Sequence, residues 1–216
     1  MKDIQTSNSY KQSDIRDGRV VPLMEEFYTI QGEGFHKGTA AYFVRIGGCD
    51  VGCVWCDVKD SWDAEKHPSQ NINDLKILAE ENDSEWIVLT GGEPAMYELS
   101  PLVKALKSIQ RSIAIETSGC YPLKAAVDWY TFSPKKFKKP CDEAYKKADE
   151  LKVVIFNKSD FQWALDHAKK VSPNCLLYIQ PEWSKKDQLM DAIVAFVKSN
   201  KGWRISLQTH KFMNIP

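Results

Sequence analysis

The chain has 216 residues, with 29 basic and 29 acidic side chains and therefore no formal net charge at neutral pH. At 43% hydrophobic and 27% charged it has the composition of an ordinary globular protein, not of a disordered, collagen-like or disulfide-packed chain. No apolar run reaches the ~18 residues a bilayer span needs, and MKDIQTSNSYKQSDIRDGRV lacks the apolar centre of a secretory signal, so a cytoplasmic protein without a membrane partner is expected.

Residues 1–20 are polar and aperiodic and are expected to form a mobile N-terminal extension, with residues 21–216 as one core domain. Strand patterns then fall at Met24–Thr29, Ala41–Ile46, Trp86–Thr90, Ile113–Thr117, Trp129–Phe132, Leu151–Phe156, Leu176–Ile179 and Arg204–Leu207. Helical spacing marks Ile72–Glu81, Leu99–Ile109, Asp142–Asp149, Asp160–Lys170 and Lys185–Ser199; the last places Leu189, Ile193, Phe196 and Val197 on one face. Strands and helices that take turns predict βαβ units, hence an α/β fold with a parallel sheet. Strand candidates end in TGGEP, ETSG, SPK, QPE and QTHK, at the carboxyl ends where such sheets gather ligand-handling groups. Each could alone be a turn or a helix cap; together they point to a shared site.

Three of the six cysteines, Cys49, Cys53 and Cys56, form a C-x3-C-x2-C cluster after a predicted strand, whereas Cys120, Cys141 and Cys175 are scattered and are expected to be packing residues. So tight a group of thiols suggests metal or redox chemistry, not a disulfide framework. A structural zinc site takes four protein ligands, and the chain has no second CxxC beside the loop. A four-iron cluster held by three thiolates would leave one iron open for chemistry. The residue types alone leave iron–sulfur, zinc and unliganded thiols all in play.

The surrounding residues narrow the choice. The cysteine spacing, with an aromatic before the last Cys, and the LTGGEP strand end resemble the radical S-adenosylmethionine enzymes. FYTIQGEGFHKGTAAYFVRIGGCDVGCVWCD, LTGGEP, ETSG, SPK, QP and the final LQTHKFMNIP together resemble the 7-carboxy-7-deazaguanine synthase family, in order from Met24 to Pro216. The resemblance implies a partial (βα) barrel with helices outside. It also implies a radical-mediated ring contraction of 6-carboxy-5,6,7,8-tetrahydropterin to 7-carboxy-7-deazaguanine, with loss of ammonia, on the route to queuosine. Rival readings are an activase that makes a glycyl radical on a partner protein, which shares the cysteine loop but needs neither QGEG nor QTHK, and a non-enzymatic metal module.

The resemblance further implies roles. Cys49, Cys53 and Cys56 would ligate a [4Fe-4S] cluster. Trp55, Asp57, Gly92, Glu93, Ser118, Ser133, Pro134, Lys135 and Gln180 would contact S-adenosylmethionine. Ile30, Gln31, Gly32, Glu33, Arg45, Thr90, His210 and the carboxyl group of Pro216 would bind the pterin: a carboxylate suits paired N–H groups, and Arg suits a substrate carboxylate. Glu116 is the candidate for proton transfer. One position departs from the family. Many members carry a threonine after Cys-Asp whose hydroxyl binds magnesium, and here it is Val58, which leaves the place to an extra water, helped by the backbone of Lys59 or by Asp60, or to no metal at all, so reduced dependence on Mg2+ is expected. A flavodoxin or ferredoxin as electron donor and a homodimer are also implied. The basic run Lys135–Lys139 is expected to be a solvated loop apart from Lys135, and the balanced charge argues against a nucleic-acid partner. Trp62, Trp86, Trp129, Trp163, Trp183 and Trp203 are expected to be packing residues.

Overall fold

The computed structural model describes residues 10–216, so the first nine positions of the expected extension lie outside the described residues. Beyond them the chain becomes regular sooner than its polarity suggests. Helix α1 (Gln12–Arg16) is held by Asp14, whose carboxylate accepts the Lys11 backbone N–H at 2.9 Å and pairs with Arg19 at 2.8 Å. Strand β1 (Val20–Ile30) starts four residues before the expected Met24, because Val20 and Val21 are buried against the core.

The remaining elements follow the predicted alternation. They are β2 (Ala40–Ile46), β3 (Ser69–Asn71), α2 (Ile72–Glu80), β4 (Trp86–Gly91), α3 (Ser100–Lys107), β5 (Ser112–Thr117), β6 (Trp129–Phe132), α4 (Asp142–Lys147), β7 (Glu150–Ile155), α5 (Ser159–Ala168), β8 (Leu176–Pro181), α6 (Lys186–Ser199), β9 (Trp203–Ile205) and α7 (Thr209–Met213). Short β3 and α7 carry no periodicity long enough to announce them. The last strand ends at Ile205, short of the expected Leu207, as the chain turns toward α7.

Among the described residues one nine-stranded sheet results, in the order β3-β1-β2-β4-β5-β6-β7-β8-β9. From β2 through β4 to β9 every neighbouring pair is parallel. The sheet is not parallel throughout: β1 runs antiparallel to both β2 and β3. Only residues 31–39 join β1 to β2, too few for a parallel crossover.

The strand period of two divides the sheet into two chemistries. Outward-facing Val44, Ile46, Ile87, Leu89, Ile113, Ile115, Val153 and Ile155 are wholly buried, in one core with Leu75 of α2, Leu102 and Leu106 of α3, Ala164 of α5 and Ile193 of α6. At ~1.5–3 kcal/mol per buried aliphatic side chain, this face dominates the stability of the fold. The inner face starts apolar, with Ala41, Phe43, Val88 and Ala114 packed by Phe27, Trp86 and Trp129. Toward the carboxyl ends of the strands it turns polar, at Arg45, Thr90, Glu116, Lys152 and Gln180.

Strands β3 and β9 stay at the two edges, so the curled sheet is a partial barrel. Loop 31–39 bridges the gap. The Thr209 N–H donates to the Gly32 carbonyl at 2.9 Å, the Gly34 N–H to Ser206 Oγ at 3.0 Å, and the Phe35 N–H to Glu150 Oε2 at 2.9 Å.

Candidate active site

A cavity of about 520 Å³ opens where the polar inner face meets the carboxyl ends of the strands. Its upper wall is the loop after β2. That loop is pinned by backbone bonds from Gly48 N–H to Ser61 O (2.6 Å), Cys49 N–H to Trp62 O (3.0 Å) and Cys56 N–H to Cys53 O (3.0 Å). Gly48, at φ 99°, takes a left-handed turn closed to most side chains. Cys49, Cys53 and Cys56 are free thiols and the only thiols lining the cavity among the described residues. Burial pushes Cys53 up to about 11, against the pull of the nearby Lys135 ammonium, and raises Cys49 as well.

Among the described residues no three His, Cys, Asp or Glu side chains gather to hold a metal ion. A cubane cluster makes no such demand, because each thiolate binds a different iron. Three thiols on one wall, unaccompanied by a fourth, fit a cluster with an open iron better than a closed zinc site.

The TGGEP strand end is fastened to this loop. Gly92 N–H donates to Ile46 O and Glu93 N–H to Gly48 O, both at 2.9 Å. A Cβ on Gly92 would lie 2.3 Å from the Gly48 carbonyl oxygen, so only glycine allows the approach. Glu93 is 1% exposed, and its carboxylate is fully engaged by protein donors: Thr117 Oγ1–H at 2.5 Å, Ser118 N–H at 2.8 Å, the Ser118 hydroxyl, and Ala95 N–H at 3.1 Å. It therefore organises the ETSG turn and is not left free to hold a ligand by its side chain.

Deeper in the cavity lies a charged edge. The Gln31 amide donates to Glu116 Oε1 at 3.0 Å, and its oxygen accepts the Glu33 N–H at 3.0 Å. Buried Lys152 pairs with Glu33 and lies 3.4 Å from Glu116; Gln208 adds a bond to Glu33 at 2.9 Å. Burial alone would raise the Glu33 carboxyl, but the Lys152 ammonium overrides it and holds Glu33 below its ordinary value. Lys152, for its part, resists the loss of charge that burial favours because Glu116 and Glu33 face it, and its affinity for the proton is raised.

The C-terminal segment closes one side. His210 lies over Gly32, where a Cβ would come within 2.1 Å of Nδ1. Asn214, at φ 54°, turns the chain back, and the Thr29 hydroxyl reaches the Pro216 oxygen at 3.4 Å. Lys211 pairs with Asp57 at 2.8 Å, which joins α7 to the cysteine loop. Lys135 donates to Ser133 through Nζ at 2.6 Å (Oγ) and 2.8 Å (O). Arg45 lines the cavity with its Nε bonded to Glu25 at 2.6 Å, and Gln180 accepts the Ser206 hydroxyl at 2.7 Å.

Ile30, Trp55, Val58 and Thr90 border the same space, so nearly every expected residue is brought together. Pro134 is not: it does not line the cavity. Neither Lys59 nor Asp60 reaches it beside Val58; the oxygen-bearing side chain placed there is Ser61, whose hydroxyl donates to Val58 O at 2.6 Å. Trp62 and Trp183 line the cavity instead of packing in the core. Lys152, Gln208, Lys211 and Ser61 had not been expected. The signal for Lys152 was available, since a charged residue inside an otherwise aliphatic parallel strand needs a partner.

No helix among the described residues is long and apolar enough to cross a membrane. The Radical SAM superfamily model matches residues 43–174. The chain is 53% identical over 205 residues to a 7-carboxy-7-deazaguanine synthase of Flavobacterium psychrophilum, covering 95% of this chain and 97% of that one. It is 44% identical over 194 residues to the protein of the same name from Synechocystis sp., covering 90% and 93%. The crystal structure of QueE from Escherichia coli superposes with a TM-score of 0.80 at 26% sequence identity, covering 93% of this chain and 99% of that one.

Proposed function

The chain belongs to the 7-carboxy-7-deazaguanine synthase family of the radical SAM superfamily, and on that premise we propose that it converts 6-carboxy-5,6,7,8-tetrahydropterin to 7-carboxy-7-deazaguanine with release of ammonia, in queuosine biosynthesis. One observation supports this above the others: a single cavity gathers three free thiols, the glycine–glutamate strand end and the Gln31–Glu33–Glu116 edge. Cys49, Cys53 and Cys56 would hold the [4Fe-4S] cluster. When bound, the cluster and S-adenosylmethionine supply the one-electron chemistry that starts hydrogen abstraction.

The chain's own residues bind, orient and move protons. The backbone of Gly92 and Glu93 would receive the amino end of S-adenosylmethionine, with the Glu93 side chain keeping that backbone in place. Trp55, Asp57, Ser118, Ser133, Lys135 and Gln180 would flank the rest of it, and Lys135 over the Trp55 ring at 5.8 Å would steady the loop. Glu33, kept ionised by Lys152, would accept paired N–H groups of the flat heterocycle. Gln31 offers both a donor and an acceptor. With its Nε spent on Glu25, Arg45 would grip the substrate carboxylate through its terminal nitrogens. Ile30, Gly32, Thr90, His210 and Pro216 complete that subsite, and Glu116 would take or give the proton in the rearrangement.

The residues at Val58 do not fit a magnesium ion. The Asp57 carboxylate is paired with Lys211, and the Ser61 hydroxyl is directed to a carbonyl. Both contacts support reduced dependence of turnover on magnesium. A small one-electron carrier such as flavodoxin or ferredoxin would be the donor, in the cytoplasm, and the enzyme would act as a homodimer.

The test is anaerobic reconstitution with iron and sulfide, incubation with S-adenosylmethionine, dithionite and the pterin, and mass spectrometry of the products. Appearance of 7-carboxy-7-deazaguanine is expected. A reduced, cluster-loaded protein that leaves the pterin intact would sink the assignment.

A further inference from the structure

Behind the charged edge, at the amino ends of the strands, lies a second chamber of about 20 Å³. Gln31, Glu33 and Glu116 border both spaces and form the partition between them. Three buried polar atoms around the chamber make no well-aligned hydrogen bond to the protein: Glu150 Oε1, His36 Nε2 and Trp129 Nε1, the Trp129 N–H lying near enough to Glu150 to favour its charged form. Glu150 is 1% exposed, and only its other oxygen is satisfied, by the Phe35 N–H at 2.9 Å. His36 is half-buried, with its ring against Trp86 at 4.2 Å and Trp129 at 4.8 Å, so it spans the distance from chamber to solvent.

Orphaned polar atoms of this kind are costly unless water satisfies them. A volume of 20 Å³ exceeds the roughly 10–15 Å³ that one water requires, and three polar partners are what a buried water usually finds. We propose that the chamber is a proton port: one ordered water, bonded to His36 Nε2, Trp129 Nε1 and Glu150 Oε1 and donating its remaining proton toward the Glu116 carboxylate that borders the same chamber, links Glu116 to His36 at the surface opposite the cofactor mouth. Glu150 and His36 are then positioning residues for the proton transfers of the reaction.

The port deepens the reading above and rests on it. Contraction of the pterin releases one NH3, and at neutral pH that ammonia leaves as ammonium after taking up one proton. With the mouth filled by cofactor and substrate, the port brings that proton from bulk water through His36, the chamber water and Glu116. No further oxidant or reductant enters. Lys152, two residues along the same strand, Glu116 of β5 and Trp129 of β6 face Glu150, and burial together with Glu116 favours its protonated form against the Lys152 charge, the Phe35 N–H and the Trp129 N–H.

Two measurements test the port. A crystal structure of the anaerobic holoenzyme that resolves waters is expected to show one of them within hydrogen-bond distance of both His36 Nε2 and Glu150 Oε1. An empty or collapsed chamber overturns the proposal whatever the substrate proves to be. In turnover, Glu150→Gln and His36→Phe are each expected to lower kcat by about tenfold with KM within about twofold, to shift the pH profile and to enlarge the solvent deuterium isotope effect. Should Glu150→Gln fail to fold, His36→Phe, on a half-exposed loop, carries the same comparison. Unchanged kcat and isotope effect in a folded variant refute the port. Failure of the substrate assignment looks different: the wild-type protein leaves the pterin untouched while the chamber water is still present.

Discussion

The Nζ of Lys152 lies 3.4 Å from Oε2 of Glu116, two side chains that meet inside the barrel from separate strands. Because the same ammonium pairs with Glu33, its removal strands two carboxylates in a poorly solvated space. Lys152→Met is expected to cost about 3–5 kcal/mol of stability and most of the activity, read by denaturant unfolding and turnover. A variant that melts like the wild type would show that the two carboxylates do not need this cation.

The pH response follows from the same pair. A carboxyl held below its ordinary value of 4.5 contributes stability that is fully present above that value and is lost as pH falls through its folded-state value. In Lys152→Met burial acts on Glu33 against only the Gln208 hydrogen bond and His210, its carboxyl rises, and the acid limb of Tm against pH moves to higher pH. Superposable acid limbs in the two proteins would count against this.

Glu93→Gln replaces an acceptor of four hydrogen bonds with a group that presents its own N–H to the same donors. A loss of about 2–4 kcal/mol is expected, along with weaker S-adenosylmethionine binding, since the ETSG turn relaxes. Thermal melts and equilibrium dialysis measure the two effects.

Val58→Thr restores a hydroxyl beside Asp57. Wild-type turnover is expected to change by less than about twofold between chelator and added magnesium, because no free oxygen-bearing side chain stands ready for the ion. The variant should gain magnesium stimulation. A wild type that stops in chelator would contradict the reading of this position.

Gly32→Ala drives a methyl group to 2.1 Å from His210 Nδ1. The imidazole must swing aside, so KM for the pterin is expected to rise by about tenfold or more, while cluster content and S-adenosylmethionine binding stay as they were. Equal losses in all three would mean that the substitution unfolds the loop and does not act through His210.

Much of this was legible in the residues. Strands such as Ala41–Ile46 and Ile113–Thr117 carry aliphatic residues on alternate positions, and the burial that follows is what folds them. The three thiols and TGGEP announced themselves by spacing. The antiparallel β1 did not, because side-chain alternation is the same for either direction and only the length of loop 31–39 decides. Nor did the partners of Asp57 and Glu33: Lys211 and Gln208 lie some 150 and 175 positions away along the chain, and only the closing of the sheet brings them near. Ser61 escaped notice because a serine in a polar loop has no distinguishing pattern until its hydroxyl is seen at the cavity wall.

Loop 31–39 both seals the curled sheet and presents Gln31 and Glu33 to the ligand, so the two duties cannot be tuned apart. Lengthening it would loosen shape and selectivity together, whereas the surface connections among the outer helices can vary without consequence for what the enzyme accepts. A designer who wished to admit a bulkier heterocycle would therefore do better to trim side chains along the inner wall than to remodel this crossing.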